Sequence, residues 1–131
     1  MTFICGGSHA TVLVDASGLI SALGTASSVE EAPSCLSNGN DIKIYYYSGL
    51  TVYTYIEGDK EIIYEIEITS PSYTTTKGLA VGMTVADAEA LYGTNYSNSG
   101  GVICYYDSSN TYLYLIVSGD QIISIGYAAE V

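Results

Sequence analysis

Arginine and tryptophan are absent from this chain of 131 residues, phenylalanine and histidine occur once each, and proline twice. Three lysines stand against 14 Asp plus Glu, for a formal charge of −11. Such a balance opposes a phosphate backbone, and no arginine is present to grip one. Nucleic acid and anionic membrane surfaces are therefore poor partners. One histidine and three cysteines leave few ingredients for metal or nucleophilic chemistry, so neither a metal nor a cofactor is expected. Cys5, Cys35 and Cys104 cannot all pair with one another, and their spacing matches no zinc pattern; buried thiols are the plain reading and a single disulfide the alternative. No stretch approaches the roughly 18–20 uninterrupted apolar residues of a membrane span. The opening Met1-Thr2-Phe3-Ile4-Cys5-Gly6-Gly7 has neither the basic start nor the long apolar run of a signal peptide, which leaves a cytoplasmic protein or a chain that begins after a removed leader. Nucleophile-elbow, P-loop and dinucleotide-binding motifs are all missing.

What is abundant is apolar and aromatic. With 48% hydrophobic and 13% charged residues, the chain lies far from the composition of disordered proteins, and its length suits one domain. Tyrosine alone contributes 14 residues.

Internal similarity organises the sequence. Leu23-Gly24-Thr25 is echoed by Tyr92-Gly93-Thr94, and the run Val52 to Asp59 lies over Leu113 to Asp120 without a gap. Each half reads as a short strand, a helix, a loop and three strands, the loop of the first half being the longer and holding Val29 to Pro33 and Cys35. The first helix is expected from Asp15, as N-cap, to Gly24. The second starts at Thr84, where Thr84 and Asp87 have capping-box spacing, and stops at Gly93. The strands are rich in Ile, Val, Thr and Tyr and are punctuated by Ser48-Gly49, Gly58-Asp59 and Gly119-Asp120. The expectation is an α+β domain over residues 1–131: two tandem helix-plus-three-strand repeats, about 1–70 and 71–131, forming an antiparallel sheet with helices on one face.

Loop parity assigns the faces. A two-residue loop at Gly58-Asp59 followed by regular strands would mix Val52 and Ile56 with Glu61, Glu65 and Glu67. An odd loop or a bulge at the turn instead groups Val52, Thr54, Ile56, Ile62, Tyr64, Ile66 and Ile68 as core, with Leu113, Leu115, Val117, Ile123, Ile125 and Tyr127 in the second half. The opposite face then carries Tyr53, Tyr55, Glu61, Glu65 and Glu67, joined by Tyr112, Tyr114, Ile116 and Ser124. Tyrosine supplies rigid contact area with a hydroxyl at its end, and contiguous exposed aromatic area calls for a partner.

Leu23-Gly24, Ser34-Cys35, Tyr45-x-Tyr47, Thr54-Tyr55, the run Thr76-Lys77-Gly78-Leu79-Ala80-Val81-Gly82-Met83-Thr84, and Leu91-Tyr92-Gly93 together resemble small duplicated domains of uncharacterised lipoproteins from Gram-positive gut bacteria. Those domains look like relatives of the β-lactamase-inhibitor-protein-like fold, whose sheet face binds partners. The resemblance implies an extracellular or envelope location and a non-enzymatic, inhibitor-like or protein-binding role. Ile4 precedes Cys5 where a lipobox has a small residue, so an anchor is implied by kinship alone.

Other chemistries fit the residues less well. His9 could serve Cys35 or Cys104 as a base, but a turn histidine is the plainer reading. Glu61 and Glu65 could form a glycosidase-like carboxylate pair, although on a flat strand carboxylates chiefly keep an outer face soluble. Calcium near Asp59, or near Asp107 and Asn110, lacks the spacing of a calcium loop. The expected function is therefore contact with another protein through the Tyr/Glu face. Glycan recognition by tyrosine stacking is the alternative, and a hydrolase stands behind both.

Overall fold

A computed structural model describes residues 3–5, 8–33, 39–107 and 110–130; of residues 3–5 and 8–10 it describes the backbone alone. Cys35, the His9 side chain and the Cys5 side chain lie outside what is described. The strands are β1 (Phe3–Cys5), β2 (Ser8–Ala10), β3 (Ser28–Ala32), β4 (Ile42–Tyr47), β5 (Leu50–Glu57), β6 (Lys60–Ile68), β7 (Thr74–Thr75), β8 (Ser97–Ser99), β9 (Val102–Tyr106), β10 (Thr111–Ser118) and β11 (Gln121–Ala129). Two short helices, α1 (Ser17–Leu23) and α2 (Val85–Tyr92), precede β3 and β8. An eight-stranded antiparallel sheet runs in the order β3-β4-β5-β6-β11-β10-β9-β8, and β2-β1-β7 form a separate three-stranded sheet.

This architecture corrects the expectation of two helix-plus-three-strand repeats. The chain is dominated by sheet. Each side of the large sheet supplies four strands in sequence, and the helices have only 7 and 8 residues. The additional strands are the two edges. β3 is exposed along Ser28 to Glu31, and β8 is the wholly exposed Ser-Asn-Ser. An edge strand that buries neither face shows no alternation of apolar and polar residues, so it reads as loop.

The core lies between the helices and one face of the large sheet. Leu19 of α1 and Ala88 of α2 join Leu50, Val52, Ile66, Ile68, Leu113, Leu115 and Ile125 in one buried cluster. α2 begins as its sequence indicates: Asp87 N–H donates to Thr84 Oγ1 at 3.2 Å, and Thr84 N–H donates back to Asp87 Oδ2 at 3.1 Å. α1 begins at Ser17, and Asp15 Oδ1 accepts the Ser17 N–H at 2.8 Å.

Both central hairpins turn through two residues, Glu57 pairing with Lys60 and Ser118 with Gln121. The irregularity expected at the turn sits inside the strand. Glu65 pairs with Tyr53 but Ile63 with Thr54, which leaves Tyr64 as the extra residue. Ser124 pairs with Ile116 but Ile122 with Val117, which leaves Ile123. Residues before and after a bulge of this kind keep the register of two different stretches. Ile63 and Ile122 are therefore buried, at 1% and 0% exposure, in place of Ile62, Tyr64 and Ile123.

The bulges mark where each strand changes its second partner. Before Tyr64, β6 is flanked by residues 13–16 through the bonds Leu13 N–H to Ile63 O, Ile63 N–H to Val14 O and Ala16 N–H to Glu61 O. After it, residues Glu65 to Ile68 pair with β11. β11 does likewise, with Gly82 and Met83 bonded to Ile122 before Ile123, and β6 after it.

Candidate functional site

The sheet face turned away from the helices presents an array of tyrosines with two carboxylates at its centre. Half of the tyrosines are not there. Tyr45, Tyr47, Tyr73, Tyr92, Tyr96, Tyr105 and Tyr127 belong to the core or pack against it. Tyr105, for instance, donates to Gly93 O at 2.8 Å and lies 5.2 and 5.7 Å, ring to ring, from Tyr96 and Tyr92. The other seven, Tyr46, Tyr53, Tyr55, Tyr64, Tyr106, Tyr112 and Tyr114, share the outer face by register.

Strand alternation positions them. On one side of β6, Tyr64 lies 5.9 Å from Tyr53 and 6.3 Å from Tyr55. On the far side of β11, Tyr112 lies 5.5 Å from Tyr106 and 6.2 Å from Tyr114. These tilted pairs hold the rings as a preorganised surface. Tyr106 is 63% exposed, whereas Tyr55 is buried. Between the clusters, Tyr114 Oη donates to Glu65 Oε2 at 2.6 Å across β11, and Ser124 Oγ donates to Glu67 Oε2 at 2.7 Å. The span is possible because β11 carries Gly126 under the Tyr114 ring; a Cβ there would overlap it.

Burial sets the protonation of this face. It pushes the Glu65 carboxyl up from its ordinary value; the Tyr114 hydroxyl pulls it down and the Glu67 charge adds to the rise. Burial, with Glu67 and Glu65 nearby, pushes the Tyr53 hydroxyl up to about 12. Tyr114 is driven far up, by burial first and then by the Glu65 charge that it faces. The hydroxyls thus remain donors at neutral pH, and the face offers O–H groups, ring faces and carboxylate oxygens. A groove of about 360 Å³ opens on it, lined by Glu65, Val102, Cys104, Tyr112, Tyr114 and Ile116.

Of the residues expected here, Tyr53, Tyr55, Tyr112, Tyr114, Glu65 and Glu67 are on this face, and Ile116 and Ser124 accompany them. Glu61 is not. The two-residue turn pairs it with Ile56, and the bulge at Tyr64 leaves it on the core side. There Glu61 accepts from Tyr45 Oη at 2.6 Å and from Lys43 Nζ at 3.4 Å. A carboxylate pair of Glu61 with Glu65 is therefore ruled out by the sheet itself. Glu61 lines a second hollow, about 570 Å³, with Asp15, Ser17, Ile20, Tyr45 and Lys60, but its oxygens are already engaged within the chain.

Sequence reasoning missed Tyr46, assigned Tyr64 to the core, and missed Cys104 and Tyr106. The alternation of β9, with Ile103 and Tyr105 inward and Cys104 and Tyr106 outward, carried the signal for the last two. Cys104 is a free, half-buried thiol. Among the described residues, no three of His, Cys, Asp and Glu converge as a metal site would require.

No family model and no curated protein matches the sequence. Among solved structures, the fold is similar to a crystal structure of an extracellular protein containing a SCP domain from Bacillus anthracis str. Ames, with a TM-score of 0.63 at 10% identity. The likeness covers 92% of this chain and 44% of that one, so this chain spans less than half of its structural neighbour. At that identity the fold alone is shared. No helix among the described residues is long and apolar enough to cross a membrane.

Proposed function

We propose that the chain is a binding module of the bacterial cell envelope or extracellular space, which contacts another protein through the outer face of its large sheet. The observation that carries this reading is the tyrosine array, seven rings on one sheet face around Glu65 and Glu67. Rings held by mutual contact lose little freedom on binding, and their hydroxyls add direction. The extracellular description of the structural neighbour and the resemblance to envelope lipoproteins support the location.

Tyr106 and Tyr112 are the residues to replace, because Tyr114 also covers Gly126 and bonds Glu65. Removing the Tyr106–Tyr112 ring pair costs about 1 kcal/mol or less of stability. Immobilised Tyr106→Ser/Tyr112→Ser protein should fold, by circular dichroism, and fail to retain cell-surface proteins that the wild type and a Lys60→Ser control retain. Equal retention by all three would remove this face from the assignment. The same rings and carboxylates suit a sugar, through stacking and acceptance of hydroxyl protons. Binding on a glycan array that is lost in the double variant would establish that second reading.

A further inference from the structure

The groove beside β10 holds a carboxyl group that forms no ion pair among the described residues. Glu65 is the charged member of a lining otherwise made of Val102, Cys104, Tyr112, Tyr114 and Ile116. Glu67 stands two residues along the same strand and on the same face. The partners of both are hydroxyls, Tyr114 and Ser124. Ion pairs among the described residues join Lys43 to Glu31 and Glu61 instead, with Lys43 and Glu61 on the core side. Lys77 lies over the Tyr92 ring, 4.9 Å from its centre, and Lys60 is at the β5–β6 hairpin end.

From this arrangement we infer that the groove receives a guanidinium side chain from a basic segment of the partner protein, stacked on the Tyr112 ring with its donor edge on Glu65. The inference rests on the binding face proposed above and gives its partner a chemistry. A guanidinium is planar, weakly hydrated and forked, so it can stack on an aromatic face while bonding a carboxylate with two N–H groups. An ammonium is compact and strongly hydrated, and fits a shallow ring-walled groove less well. A neutral sugar would leave Glu65 and Glu67 without counter-charge. The complementarity also holds for the whole chain, which carries −11 and contains no arginine of its own.

The test uses the ¹⁵N-labelled chain titrated with a short peptide that bears two arginines on a Gly/Ser background, and with its citrulline counterpart, which keeps the shape and loses the charge. The arginine peptide should move the amides of Glu65, Cys104, Tyr112 and Tyr114 and saturate. The citrulline peptide should not bind. Glu65→Gln, which still accepts from Tyr114, should weaken the arginine peptide at least tenfold. Asp120→Asn removes the same unit of charge from an exposed turn and should change nothing. Ile116→Arg plants a guanidinium in the groove from within and should block the peptide, which keeps the test decisive if Glu65→Gln perturbs the spectrum. Equal weakening by Glu65→Gln and Asp120→Asn, shifts spread over the whole acidic surface, full affinity in Ile116→Arg, or equal binding of citrulline would each overturn the inference. Shifts at the same amides with an oligosaccharide but not with the arginine peptide would overturn it in favour of a glycan. Partner capture lost in Tyr106→Ser/Tyr112→Ser but kept in Glu65→Gln would remove the guanidinium and leave the face. Capture kept in both would remove the face as well.

Discussion

Tyr114 answers to three neighbours at once. Its ring lies on Gly126, its hydroxyl is bonded to Glu65, and one side of it lines the groove. A methyl at position 126 would occupy the space of the ring, so Gly126→Ala should destabilise the fold by about 1–3 kcal/mol, the usual cost of overpacking, as read from urea midpoints. Tyr114→Phe keeps the packing and loses only the bond to a half-buried carboxylate, so about 1 kcal/mol is expected. Glu65 makes the pH dependence specific. Tyr114 from β10, Tyr53 from β5 and Glu67 on its own strand face it, and Tyr112 and Cys104 line the same groove. Because its carboxyl is raised in the folded state, the native chain holds that proton more firmly than the unfolded one. Its contribution is therefore most favourable below the ordinary value of 4.5 and declines as pH rises through the raised value. Glu65→Gln should remove this decline, so urea midpoints for wild type and variant should diverge from pH 4 to 7, with the variant gaining. Convergence over that range would contradict the buried carboxylate. Alternation placed Tyr53 and Tyr55 on one face and Tyr112 and Tyr114 on its counterpart, but needed an irregularity expected at the β5–β6 turn to add Glu65 and Glu67. It failed for Glu61 because the side of the sheet a residue takes depends on every irregularity between it and the turn.

Among the elements, the bulges decide most. Tyr64 and Ile123 leave two-residue turns intact while shifting the register within the strand. Core and outer sets were therefore legible beyond the bulges, at Ile66, Ile68 and Ile125, and misread before them, at Ile62, where Ile63 is the buried residue. Nothing in Ile62-Ile63-Tyr64 distinguishes one phase from the other. What fixes it is tertiary: the stretch before the bulge pairs with residues 13–16 and the stretch after it with β11. Edge strands β3 and β8 escaped notice for the opposite reason, having exposed residues throughout most of their length. Helix ends were more readable because their signal is local. Thr84 and Asp87 close both capping bonds of α2, so Thr84→Ala should cost about 1 kcal/mol in thermal or urea unfolding. Asp87→Asn, which keeps an acceptor oxygen but loses the charge near the helix N-terminus, should cost less.

For the molecule as a whole, charge and tyrosine act in opposite senses. Seven rings on one sheet face favour association, while −11 spread over 131 residues repels a second copy. Stacking two such faces would also bring Glu65 and Glu67 of one copy against those of the other, where burial already disfavours the ionised form of Glu65. The proposed cationic partner would be attracted where a second copy would be repelled. Sedimentation velocity should show one species at low ionic strength from micromolar concentrations to tenfold higher. Raising salt to about 0.5 M shortens the Debye length to a few ångströms and should relieve the repulsion. Any self-association through the tyrosines should then appear with added salt and be reduced in Tyr106→Ser/Tyr112→Ser. Binding of the arginine peptide should weaken over the same range of salt. A dimer strongest at low salt would mean that like charges are not what governs this face, and the cationic partner would lose its physical basis.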